Sequence, residues 1–164
     1  MFKNLKHFLK ILYHKKYTPE VLFLCLFCFS YAPHFIYSWF PQILNDTYAY
    51  VFQAKDIYDG KLPLSGHRMD LPYAYSIFIA FLFKLGGSLK TVILIQTLVS
   101  AGSFVFLINT LKRISTGLAF FGAFSVWLYA SSTQSLLWNT LIYTESFYSS
   151  NLVMATVFII LFSL

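Results

Sequence analysis

Charge is scarce in this sequence. Asp, Glu, Lys and Arg make up 11% of the residues, and only six are acidic. A soluble domain carries about a quarter charged residues, so the composition argues against an ordinary soluble domain and predicts an integral membrane protein. Cysteine is equally sparse. Cys25 and Cys28 stand three apart inside an apolar run. A metal site needs more ligands, and thiolates resist apolar surroundings. The pair therefore reads as two buried small hydrophobes. The chain shows no internal repeat, low-complexity tract, Gly-rich phosphate loop or hydrolase triad pattern.

Apolar and aromatic residues are what the chain has in abundance, at 58% and 21%. Of its twelve basic residues, Lys3, Lys6, Lys10, Lys15 and Lys16 precede the first apolar run. A basic segment beside a hydrophobic helix is the positive-inside signal, which accounts for the net charge of +6 without nucleic acid. Phe2, Leu5, Phe8, Leu9 and Leu12 recur at helical spacing. Residues 1–19 thus read as a basic amphipathic segment on the cytoplasmic leaflet.

Residues 20–41 form the first expected transmembrane helix, with Trp39 and Phe40 at its outer interface. Pro33 follows the loosely small-x-small Ser30-Tyr31-Ala32, which argues for a retained anchor over a cleaved signal. His34 reads either as a partnered interior histidine or as a functional intramembrane group. Residues 42–88 form an outer loop holding four of the six acidic residues. Within it, Asn45 and Asp46 resemble a helix N-cap, and Gly60 a stop, for a helix over 46–59. Asp46, Tyr50, Ala54 and Ile57 share one face of that helix, and Tyr48, Tyr50, Phe52 and Tyr58 suit a headgroup zone. A second short helix is expected over 72–86.

That second helix decides the topology. A bilayer core needs about 20 apolar helical residues, and Leu71–Gly86 is shorter and contains Lys84. If it lies flat on the surface, the helix over 89–112 runs inward and delivers Lys112-Arg113 to the cytoplasm, as positive-inside prefers. Further transmembrane helices are expected over 116–139, with its apolar run Leu118–Trp138, and over 145–164, the latter incomplete. The predicted fold is thus all-α, with about four transmembrane helices and two surface-lying amphipathic helices in the first outer loop. Asp46 and Glu145 then fall on the same, non-cytoplasmic side. Each reads either as a helix cap complementing a dipole, or as chemistry. The chemical readings are a general base for an acceptor hydroxyl, or a pair holding a divalent cation through hard oxygen ligands.

The ordered set resembles the N-terminal module of the GT-C glycosyltransferases, a group that includes protein O-mannosyltransferases and lipid A aminoarabinose transferases. The resemblance rests on a first span, then Asp46, Tyr50, Ala54 and Gly60 in the outer loop. It continues through the Pro-led helix PYAYSIFIAFLFKLGG at Pro72–Gly87 and Glu145 in YTESFY. Thr47 stands where many relatives carry Glu, and Asp70-Leu71-Pro72 where many carry a basic residue before a Pro pair.

The resemblance implies hexosyl or pentosyl transfer from a polyprenyl-phosphate sugar donor to an acceptor, with inversion, in a multi-pass membrane protein; a bacterial inner membrane is the default expectation over an endoplasmic reticulum membrane. Asp46 would be the general base, Glu145 would position acceptor or metal, and His67 and Arg68 would meet phosphate, since guanidinium matches phosphate oxygens in pairs. Tyr50 would stack on a sugar ring. For Tyr50, His67 and Arg68 the plain readings stay open: an interface aromatic and a solvated loop. The resemblance covers the first third of such an enzyme, so the chain reads as a fragment, inactive alone without its missing C-terminal part. The alternative is a small non-catalytic membrane protein, an accessory or lipid-carrier subunit, in which Asp46 and Glu145 only cap helices. Gly102, Ser103, Gly117, Gly122 and Ala123 would there let a helix-packing partner approach closely.

Overall fold

Two glycines end the first two short helices of the structure by the same device. The computed structural model describes residues 18–37, 45–61, 73–132 and 144–163. The described residues hold six helices and no strand: α1 (Thr18–Tyr37), α2 (Asn45–Tyr58), α3 (Tyr73–Lys84), α4 (Leu89–Ile114), α5 (Thr116–Ala130) and α6 (Thr144–Ser163). At the end of α2, Gly60 N–H donates to the Ile57 carbonyl and Lys61 N–H to that of Asp56. At the end of α3, Gly86 N–H donates to Phe83 and Gly87 N–H to Leu82. These paired bonds satisfy the orphan carbonyls of a helix end and require a left-handed residue. Gly60 and Gly86 supply it, with φ of 71° and 79°.

Gly87 has a different task. A Cβ there would meet the Leu82 carbonyl oxygen at 2.8 Å, so the backbone passes too close for any side chain. The chain can then restart at once. The Ser88 N–H donates to Thr91 Oγ1 at 3.0 Å, closing the first turn of α4.

α4 is the spine of the molecule and packs against α1, α3, α5 and α6. With 26 residues it is the one described helix long and apolar enough to cross a membrane, about 39 Å at the α-helical rise. Its last turn joins α5 through a single residue. Ser115 N–H donates to the Leu111 carbonyl, and Ser115 Oγ accepts from Gly117 N–H. The two helices pack antiparallel, with Gly122 against Leu111 and Phe104 edge-on to Tyr129 at 6.0 Å. α5 ends at Ala130, and residues 133–138 of the expected run lie outside the described residues. Ser131 and Ser132 follow it, and serine hydroxyls compete with the helical backbone for hydrogen bonds.

α1 lies antiparallel to α4. Glu20, in its first turn, takes both carboxylate oxygens to Lys112 Nζ at 3.0 and 3.1 Å. Further along, Phe23 meets Phe104 at 6.0 Å. Phe23, Phe27 and Tyr31 recur every fourth residue and form a ladder, with Phe27 and Tyr31 stacked at 4.1 Å. They pack on Ala101, Phe104 and Ile108 of α4 and on Ala119, Ala123 and Ala130 of α5. Trp127 Nε1 and Ser131 Oγ both donate to Ser30 Oγ at 3.0 Å, joining the end of α5 to the second half of α1. Cys25 and Cys28 are exposed. The expectation of buried thiols is corrected here, because the ladder fills the inward face of α1 and turns both cysteines outward.

Two glycine substitutions separate close approach from helix propensity. Gly102 lies in the interior of α4 with nothing within 4 Å of an added Cβ, so Gly102→Ala is expected to stabilise by about 1 kcal/mol. Gly87→Ala forces backbone apart and is expected to cost about 1–3 kcal/mol. Thermal unfolding of both variants in one detergent measures the opposite signs.

Candidate functional site

Of the sequence-predicted site residues, Asp46 and Tyr50 stand on α2 and Glu145 on α6. Asp46 is the second residue of α2, and Glu145 the second of α6. Each stands in a first helical turn, where the helix dipole favours an anion. His67 and Arg68 lie outside the described residues, as does the basic segment over residues 1–17. His34 stands in the last turn of α1.

Tyr50 is 4% exposed. Its ring meets that of Tyr75 on α3 edge-on, 5.1 Å between centroids and 88° between planes. This is the favoured arrangement of two ring quadrupoles. The face shared by Tyr50, Ala54 and Ile57 therefore turns inward, against α3, with Tyr50 and Ala54 fully buried. Tyr48 and Tyr58 face out, and Tyr48 stacks on Phe52 at 6.2 Å between centroids. Asp46 precedes Tyr50 by four residues, so it begins the row that Tyr50 and Ala54 continue.

Buried polar side chains tie this region together, and sequence reasoning passed over them. Tyr75 Oη donates to Gln96 Oε1 at 2.9 Å, linking α3 to α4. Ser76 Oγ donates to Gln53 Oε1, linking α3 to α2. All four side chains are buried, within a cluster that includes Ile79, Ala80, Leu82, Val92 and Ile93. Away from water such a bond is costly to lose, because its partner is left unsatisfied. Thr47 Oγ1, adjoining Asp46, is the one buried side-chain polar atom among the described residues without a hydrogen bond.

The α4 helix carries the polar row further. Ser100 and Ser150 share a hydrogen bond at 3.1 Å, tying α6 to α4. Thr97, Ser103 and Thr110 donate back to carbonyls of their own helix. A signal for the first of these ties was present in the sequence. Gln96 interrupts the apolar run TVILIQTLVS, and a polar group placed there calls for a named partner.

Among the described residues, no three His, Cys, Asp or Glu side chains gather where one metal ion could be held. Compared with known proteins, the chain matches no family model, no curated protein and no solved structure.

The Tyr75–Gln96 bond is open to a direct test. Tyr75→Phe and Gln96→Leu, singly and together, form a double-mutant cycle. The expected coupling is about 0.5–1.5 kcal/mol. Additive effects in detergent unfolding would deny that the two groups bond.

Proposed function

We propose that this chain is the front module of a membrane glycosyltransferase of the GT-C kind, working at the non-cytoplasmic face of a bacterial inner membrane. In this reading the Asp46 carboxylate accepts the proton of an acceptor hydroxyl. That oxygen attacks the anomeric carbon of a polyprenyl-phosphate sugar, the bond to phosphate breaks, and the configuration inverts. Glu145 positions the acceptor or a divalent cation, and His67 and Arg68 meet the donor phosphate. Tyr50, buried against Tyr75, serves by fixing the helix face that Asp46 begins rather than by stacking on a sugar.

The observation that carries the reading is the antiparallel packing of α1 on α4, with Glu20 bonded to Lys112. It sets the beginning of α1 beside the end of α4. The end of α1, the beginning of α4 and the α2–α3 unit between them then share the opposite end. The return of α5 to Ser30 brings its own end the same way, and the Ser100–Ser150 bond sets α6 beside the first half of α4. A shared end for the segments that bear Asp46 and Glu145 supports the reading of one common site. A bilayer around the helices is supported by their outward side chains. Phe29 is 79% exposed and Phe162 91%, with Phe121, Leu98 and Ile159 also exposed, and so much exposed apolar side chain suits lipid or a partner.

Asp46→Asn separates base from cap. Asparagine keeps the size of aspartate at this second helical position but accepts no proton. In the native polypeptide, transfer from a polyprenyl-phosphate sugar is expected to fall at least about 100-fold, with unfolding temperature unchanged. Wild-type transfer by the variant would remove the assigned role and leave Asp46 as a cap.

A further inference from the structure

The outward side of α4 carries a row that the protein itself leaves unused. Ala101, Phe104 and Ile108 pack inward with α1 and α5. Roughly opposite them on the helix, Val99, Gly102, Phe106, Asn109 and Arg113 are exposed. Their spacing of three, four, three and four is the seam by which two helices pair with a left-handed twist.

Two members of the row do not suit a helix that meets only acyl chains. Gly102 stands at the middle of α4, where glycine weakens a helix relative to alanine. No atom lies within 4 Å of an added Cβ, so no contact inside the protein accounts for its smallness. Asn109 stands one turn before Arg113, about 6 Å deeper into the proposed bilayer. It is exposed, and among the described residues its amide has no hydrogen-bond partner. Acyl chains offer that amide nothing, whereas small residues and polar side chains are what join helices in a membrane.

A second copy of this chain answers both features at once. Copies inserted in the same sense pair about an axis along the membrane normal, so their α4 helices run parallel and residues face their own equivalents. A carboxamide both donates and accepts, so Asn109 opposite Asn109 is self-complementary. A single asparagine in such a seam also fixes its register. At Gly102 the two backbones can approach, at a helix separation of about 8–10 Å that admits alanine there but not isoleucine. Arg113 ends the row at the headgroup level, where water and ions screen it from its equivalent.

We propose that this chain pairs with a second copy through α4, with Gly102 facing Gly102 and the two Asn109 amides bonded to each other. This rests on the membrane placement of the proposed function but not on its transferase chemistry.

Cross-linking locates the face, and energy transfer measures the affinity. Single cysteines replace Val99, Phe106, Phe121 or Ile159 in a Cys25→Ser, Cys28→Ser background and are oxidised with copper phenanthroline in native membranes. Disulfide-linked dimers are expected from the two α4 positions, and none from Phe121 on α5 or Ile159 on α6. Links from Phe121 or Ile159 alone, or from no position, would overturn the pairing and give the row to lipid or another protein. Full chains carrying donor or acceptor dyes on a terminal tag are then diluted with lipid in phosphatidylcholine vesicles. Asn109→Leu is expected to weaken association roughly 3- to 30-fold. Asn109→Gln, which keeps the amide, weakens it less, and Gly102→Ile abolishes it. Both positions are exposed, so these changes remove no packing within one copy. Equal association of wild type and Asn109→Leu would overturn the amide pair. Monomers at every dilution would overturn the pairing and leave the proposed function standing. Chains that fail to float with the vesicles after an alkaline wash would overturn the membrane placement itself.

Discussion

The Glu20–Lys112 ion pair fixes which helix ends meet, and the rest of the arrangement follows from that choice. Glu20 stands in the first turn of α1 and Lys112 in the last turn of α4. Each charge therefore complements its own helix dipole as well as the other charge. Both side chains are largely buried, where screening by solvent is weak. With that end closed, Phe23 and Phe104 meet, and α5 can fold back through Ser115 into the space beside both helices. The α2–α3 unit is left at the far end, tied to the start of α4.

In the proposed bilayer setting these contacts carry a different weight than in water. Lipid tails are as apolar as leucine, so helices gain little by hiding apolar surface from them. What remains is close packing and hydrogen bonding. α5 supplies closeness with Ala119, Gly122 and Ala123, all buried, against which the aromatic ladder of α1 can lie. Side-chain hydrogen bonds tie the junctions: Trp127 and Ser131 to Ser30, Tyr75 to Gln96, Ser76 to Gln53, and Ser100 with Ser150. The short helices depend on them most. α2 and α3 have few turns to pack, and the polar bonds fix their register against one another and against α4.

Local features were legible in the sequence where a residue's own chemistry dictates them. Gly60 marks the end of α2 because only glycine enters the left-handed region without strain. The shortness of the apolar piece before Gly86 marks α3 for the same reason, with Gly87 adding a close approach visible only in three dimensions. Asn45 and Asp46 do open a helix. Pairings between distant residues were not legible. Nothing local to Glu20 names Lys112, and nothing local to Tyr50 says that Tyr75 will cover it. The sense in which a helix turns was equally hidden. Cys25 and Cys28 share a face with the outside because the ladder at Phe23, Phe27 and Tyr31 wins the inside. Of the candidate site, the chain supplies the positions of Asp46 and Glu145 at two helix starts, while the geometry adds the inward face and the polar ties behind it.

Side-specific labelling tests the central claim most directly. Single cysteines at Ser65 and Ser146, in a background without Cys25 and Cys28, are exposed to an impermeant thiol reagent on intact cells and again after permeabilisation. The account predicts that both react from outside, placing the segments that bear Asp46 and Glu145 on one face of the membrane. Reaction of Ser65→Cys outside but Ser146→Cys only after permeabilisation would put the two acidic residues on opposite sides. The antiparallel α1–α4 arrangement and the shared site would then both be wrong.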